Sequence, residues 1–239
     1  MHSADRWRGL TALLPVEWDI YVVELPGFGL SPIEPADQCS IPVCARMLED
    51  TIGELRDETR RSILVSHSLG GLVALGFQDT CFDCEVYSAV PACGLPNHLW
   101  VLGNENLTRL CLRLNAIMPE RVARAFARRA ARVTVCDPSF IDELMVEDAL
   151  RADPYVAARM AKEMYDYALD QCRADGHGTC LVVHAELDQV VTLEDSQELA
   201  AFLGTDLITI ADSGHTLMSE APEPFADVLV SLAGQSMDS

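Results

Sequence analysis

The chain has 239 residues, 49% of them hydrophobic, which suits one sizeable core and perhaps an insertion. Thirty-seven acidic against 17 basic residues give a net charge of -20, which repels nucleic acid and anionic membrane surfaces, so neither is an expected partner. No apolar run approaches the roughly 18 residues needed to span a bilayer, and Met1-His2-Ser3-Ala4-Asp5-Arg6 lacks the apolar core of a signal peptide.

In chain order, Trp7, Leu10, Leu13 and Leu14 fall at helical spacing, and Ile20 to Leu25 reads as a strand closed by Pro26-Gly27-Phe28-Gly29. Pro42 opens a helix through about Leu55. Ser62 to Ser66 is the next strand, followed by an apolar helix from Leu69 to Phe77 and a strand from Glu85 to Val90. From Pro91 to about Gly176 the strand signal disappears, and apolar residues recur at helical spacing between breaks at Asn97, Asn106, Asp137-Pro138 and Asp153-Pro154. A strand from Cys180 to His184, a helix near Glu194 to Leu203 and a strand from Leu207 to Ile210 follow; Phe225, Val228, Leu229 and Leu232 mark a closing helix. The fold class is therefore α/β: a mostly parallel central sheet covered by helices, formed by 1–90 and 177–239, with a helical cap at 91–176.

Ser66-His67-Ser68-Leu69-Gly70-Gly71 lies between a strand and a helix, where a nucleophile elbow places its serine. Such a turn strains the serine's backbone and calls for small residues two before and two after it, as Ser66 and Gly70 are. A serine hydroxyl attacks only when a base takes its proton, so a histidine and an orienting acid must follow. Asp188 comes after the strand ending at His184, and His215 after the strand ending at Ile210, which puts both on loops at the carboxyl ends of strands.

These residues give the chain a clear resemblance to the α/β-hydrolase superfamily, within it the cap-bearing branch of pimeloyl-ester carboxylesterases, enol-lactonases and carbon-carbon bond hydrolases. The resemblance is carried by Glu24 to Ser31, Ser66 to Gly71, His184 to Asp188, and Gly214-His215 followed by Glu220, Pro222 and Phe225. It implies a Ser68, His215, Asp188 triad that needs no cofactor or metal. Ser68 in place of aspartate argues against the branches that attack through carboxylate. Glu24 and Ala185 stand where these relatives usually have Asp and Gly.

The resemblance also implies two strands and a third before the Trp7 helix, the third ending in a His-Gly turn whose next residue supplies one oxyanion N–H. Counting back from Trp7 places Met1 near that residue, with Leu69 supplying the other N–H. Either the reading frame extends upstream, or the strand 20–25 closes against 62–66 in a smaller sheet that lacks its first strands. With one donor missing, turnover falls by about 10²- to 10³-fold.

Other groups compete for these roles. His67 and His184 read as packing or hydrogen-bonding residues, His2, His98 and His177 lack suitable context, and Asp212 reads as loop structure. The nine cysteines suit reduced thiols in the cytoplasm. Cys81-Phe82-Asp83-Cys84 has CxxC spacing without a second ligand pair.

In the insertion, Trp100, Leu110, Leu112, Leu114, Ile117 and Met118 either line an acyl pocket or pack the cap. Between Arg109 and Arg132 stand seven arginines and one glutamate. Arg121, Arg124, Arg128 and Arg132 share one helical stripe, and Val122, Phe126, Ala130 and Val133 another; the basic stripe is either solvated or docks an acidic carrier protein. The reading of function is hydrolysis of an ester, thioester or lactone of a small to medium apolar acyl substrate. The alternatives are a non-catalytic or weakly active relative, and a cyclase, lyase or acyltransferase in the same pocket.

Overall fold

A computed structural model of the chain describes residues 3–31, 39–55, 57, 59–78, 82–96, 99–169 and 179–235. Four strands form one parallel sheet in sequential order: β1 (Ile63–His67), β2 (Cys84–Ser88), β3 (Thr179–Ala185) and β4 (Leu207–Ile210). The apolar Ile63-Leu64-Val65 of β1 and the wholly buried β2 suit a sheet covered on both faces. Because successive side chains alternate, Tyr87 and Val182 enter a core with Ile41, Leu72 and Leu199, while Val86 and Val183 enter another with Leu10, Phe225 and Leu229.

The helices lie where connections between parallel strands require them. After a 3-10 turn (Ala4–Trp7) come α1 (Arg8–Thr11) and α2 (Ile41–Leu55), and α3 (Leu69–Leu75) links β1 to β2. Between β2 and β3, the described residues form α4 (Glu105–Ile117), α5 (Glu120–Ala130), α6 (Glu143–Arg151) and α7 (Pro154–Tyr165). Asp142 and Asp153 cap α6 and α7 by accepting from backbone N–H groups of their first turns, and Pro154 fits the first position of α7. Asn106, expected to break a helix, lies inside the first turn of α4. Next are α8 (Leu193–Leu203), α9 (Leu217–Glu220) and α10 (Pro222–Gln235). In α8, Thr192 and Asp195 form a reciprocal capping box, and Gly204 ends the helix at a φ of 63°.

Two expectations are corrected, and α5 adds a third finding. Ile20 to Leu25 forms no strand and does not close against β1; Ile20, Tyr21, Val22 and Val23 are exposed. β-Branching suits an extended backbone, but a strand needs a neighbour, and β1 is paired to β2 alone among the described residues. The segment is instead tethered by an Asp19 ion pair with Arg60 and by Glu24, whose carboxylate accepts from Ala4 N and Leu30 N at 2.9 and 2.6 Å.

On α5 the buried residues are Ala123 and Ala127, while Val122 and Phe126 are exposed. Alanine allows α5 to approach α6 closely, which decides the inward face. Trp100, Leu110, Leu114, Ile117 and Met118 are likewise exposed; Leu112 of that group lines a cleft of about 310 Å³ with residues 149–154. No helix among the described residues is long and apolar enough to cross a membrane.

Candidate active site

Parallel strands deliver their carboxyl ends to one edge of the sheet, and the three predicted residues lie on three of the loops there. Ser68 joins β1 to α3 at φ 51° and ψ -123°, a region that a residue with a side chain adopts only under constraint. The constraint is backbone pairing: Ser68 N donates to Ser88 O at 3.0 Å, and Ser68 O accepts from Gly71 N at 2.9 Å. The small residue that the elbow most needs is Gly71, not Gly70. A Cβ on Gly71 would stand 2.2 Å from Val90 Cγ2, whereas one on Gly70 meets nothing within 4 Å. Ser66 is buried and donates to Val86 O at 2.9 Å.

His215 Nε2 lies 3.0 Å from Ser68 Oγ, and His215 Nδ1 lies 2.8 Å from Asp188 Oδ2. The Asp188 side chain is 0% exposed, and its second oxygen accepts from Val190 N and Val191 N at 2.7 and 3.0 Å. A carboxylate so occupied accepts from Nδ1–H, which leaves the Nε2 lone pair facing the serine hydroxyl. Leu69, at the first position of α3, has no acceptor for its N–H within its own helix. Met1, expected as the second oxyanion donor, lies outside the described residues, as do His2, Cys81, His98 and His177.

The competing groups have other partners. His184 Nδ1 meets Ser196 Oγ at 3.0 Å, and His67 Nδ1 meets Ser88 Oγ at 3.3 Å. Burial, then the neighbouring His215, holds His67 well below the usual histidine range; its ring centroid stands 5.0 Å from that of His215. Asp212 sits at φ 52° and its N–H donates to Glu186, so it belongs to loop structure. Cys84 is buried in β2. No group of three or more His, Cys, Asp or Glu residues among the described residues is placed to hold a metal ion.

Glu220, legible in sequence only as part of a motif, organises the histidine loop. Its Oε2 accepts from Cys136 N at 2.6 Å and Gly214 N at 3.1 Å, and its Oε1 from Thr216 N at 3.0 Å and Thr216 Oγ1 at 2.7 Å. The bonds grip both residues flanking His215 and join them to the segment after α5. That segment approaches so closely that a Cβ on Gly214 would lie 2.4 Å from Cys136 N. Glu143, at the start of α6, engages Arg124 of α5 and also Arg128 at 2.5 Å, while Arg121 and Arg129 of α5 and Arg132 just beyond it are exposed.

A family model described as "Alpha/beta hydrolase family" matches residues 1–228. No curated protein sequence matches the chain. Among solved structures, an esterase from Exiguobacterium antarcticum superposes with a TM-score of 0.77 at 16% identity, covering 97% of this chain and 87% of that one. A thermophilic esterase from Thermogutta terrifontis, with malate bound, gives a TM-score of 0.74 at 20% identity over 98% of this chain and 86% of that one. A bromoperoxidase from Bacillus anthracis gives 0.73 at 15%, over 98% and 88%. At such identities the likeness shows the fold.

Proposed function

This chain belongs to the α/β-hydrolase family, and from that premise we propose that it hydrolyses esters or thioesters through an acyl-enzyme on Ser68. The observation that carries the reading is the continuous relay from Ser68 Oγ through the His215 ring to Asp188, at 3.0 and 2.8 Å. His215 Nε2 takes the hydroxyl proton as Ser68 Oγ bonds to the substrate carbonyl carbon, and Asp188 stabilises the imidazolium that forms. The Leu69 N–H faces the developing oxyanion. When the tetrahedral intermediate collapses, the carbon–oxygen or carbon–sulfur bond breaks and His215 returns the proton to the departing alcohol or thiol. Water then repeats the sequence, with His215 as its base, and releases the acid and free Ser68.

The esterase activity named for the Exiguobacterium and Thermogutta structures supports an ester over other bonds as the first substrate class to try. A fluorophosphonate probe should label the wild-type chain on Ser68 and leave Ser68→Ala unlabelled. Absence of labelling on correctly folded wild-type protein would overturn the reading in favour of a non-catalytic relative. Product analysis on an ester and thioester panel distinguishes hydrolysis from acyl transfer, cyclisation or elimination.

A further inference from the structure

We propose that α4 and α5, with the turn between them, dock on an anionic lipid surface, an apolar stripe entering the acyl chains while neighbouring arginines meet the headgroup phosphates. On α4, Leu110, Leu114 and Ile117 are exposed, and their spacing of four and three residues puts them on one face. On α5, Val122 and Phe126 are exposed one turn apart, turned away from the buried Ala123 and Ala127. Met118 is exposed in the turn, beside Ile117, which at 79% is the most exposed of the six. Large apolar side chains strung along one segment, rather than scattered singly, mark an interaction surface.

The charges select the occupant. The chain as a whole carries -20, yet the stretch 109–132 holds seven arginines against Glu120. Arg124 and Arg128 are engaged by Glu143, and Arg109 and Arg113 stand over the Tyr155 ring at 5.2 and 4.4 Å. Arg121, Arg129 and Arg132 are exposed and enter no ion pair among the described residues. The acids in contact with α5, Glu120 and Glu143, are both paired with its arginines. At physiological ionic strength, exposed charges more than about 8 Å apart are largely screened. A surface touching this segment therefore meets the free arginines, and the net charge of the chain does not forbid the contact.

The placement of those arginines favours lipid over a protein. Arg129 follows Val122 by seven residues and Phe126 by three, so it rises from the apolar stripe itself, with Arg121 and Arg132 to its side. An arginine so placed lays its stem along apolar neighbours and carries its guanidinium outward to phosphate oxygens, as in a helix lying at the boundary between acyl chains and headgroups. A second copy would bring the same arginines together across a two-fold axis. A soluble acidic partner held by charge alone would leave Ile117 and Phe126 in water. Docking of this kind does not depend on the hydrolase reading.

The test sediments the full chain with vesicles of phosphatidylcholine containing about 30 mol% phosphatidylglycerol, and with vesicles of phosphatidylcholine alone. The mixed vesicles should bind about 100-fold more tightly at physiological salt, and the difference should shrink at about 0.5 M salt. Arg121→Gln, Arg129→Gln and Arg132→Gln together should weaken binding to the mixed vesicles about 100-fold, at roughly fivefold for each arginine. Ile117→Ser with Phe126→Ser should weaken it about 10-fold or more.

All these positions are exposed, so both variants should keep the wild-type Tm and lose binding without unfolding. No sedimentation with either vesicle, equal sedimentation with both, or variants that bind as well as the wild-type chain would overturn the proposal. So would a dimer, seen by sedimentation equilibrium in place of vesicle binding, that Ile117→Ser with Phe126→Ser dissociates, since the stripe would then belong to a second copy. Fluorophosphonate labelling of Ser68 without vesicles is measured separately: failure to dock leaves the hydrolase reading standing, and failure to label leaves the docking standing.

Discussion

Replacing Glu220 by alanine tests whether the grip on the histidine loop matters to chemistry or only to folding. The substitution removes the acceptor for Gly214 N, Thr216 N and Cys136 N. Thr216 N keeps Thr134 O at 3.2 Å, which leaves two backbone donors without a protein partner. An orphaned buried donor costs about 1–3 kcal/mol. Gly214 is buried, but Cys136 is half-buried and water can reach it, so the expected loss of stability is roughly 2–4 kcal/mol. The effect on chemistry comes from freeing the residues on both sides of His215. A displacement of about 1 Å in a catalytic group lowers rate on the order of 100-fold. Stability is read by urea denaturation, and chemistry by the rate of fluorophosphonate labelling of Ser68 in protein held well below its unfolding transition. Labelling of Glu220→Ala should fall about 10- to 100-fold, with Glu220→Gln, which keeps one acceptor oxygen, in between. If Glu220→Ala loses stability yet labels at the wild-type rate, the four bonds serve the fold and the positioning argument fails.

Gly71→Ala should cost about 1–3 kcal/mol by forcing its Cβ against Val90, and Gly70→Ala much less; recovery of Tm in Gly71→Ala with Val90→Ala would identify the contact. Burial lowers the pKa of both His67 and His184 below the ordinary value of 6.5. The unfolded chain therefore binds protons that the folded chain refuses, so the stability these neutral rings contribute is complete above pH 6.5 and declines as pH falls below it, by at most about 1.4 kcal/mol per pH unit for each ring. Thermal unfolding from pH 7.5 to 5 should show this decline, and His184→Gln, which retains a hydrogen-bonding side chain, should flatten it; an unchanged slope would remove His184 from the account. If the insertion docks an acidic carrier, neutralising Arg121, Arg129 and Arg132 should weaken carrier-bound thioesters far more than small esters, and equal loss for both would exclude docking there.

Ser68, Asp188 and His215 were legible because each follows a strand, and the carboxyl ends of parallel strands must converge. That argument needs only local patterns and one rule of topology. Ile20 to Leu25 exposes its limit: the same β-branched pattern describes an extended chain, but hydrogen-bonded pairing depends on another segment. The α5 helix shows a second limit, since periodicity identifies the stripes but not which one is buried; close helix contact selected Ala123 and Ala127 over the larger Val122 and Phe126. Glu220 was legible as part of a motif, but its grip on the histidine loop was not: a charged residue reads as solvated unless its neighbours are known, and Cys136 lies more than 80 positions away along the chain.

The two histidines nearest Ser68 also illustrate how hydrogen bonding can separate roles that residue type cannot. The Ser88 hydroxyl donates to Ser66 O at 2.9 Å, so its oxygen is left to accept from His67 Nδ1–H. That directs the His67 Nδ1 proton away from the relay, and burial disfavours a second proton on the ring. His215 has the same tautomer for the opposite reason, because an ionised acid holds its Nδ1–H. When His215 takes the serine proton, Asp188 compensates the new charge directly, whereas His67, its ring centroid 5.0 Å from that of His215, has no carboxylate hydrogen-bonded to it among the described residues, and burial opposes its protonation. A cation at His67 would oppose protonation of His215 and slow the attack. Burying His67 therefore does more than fill space beside the elbow: it keeps a second positive charge away from the base while the proton is in transit.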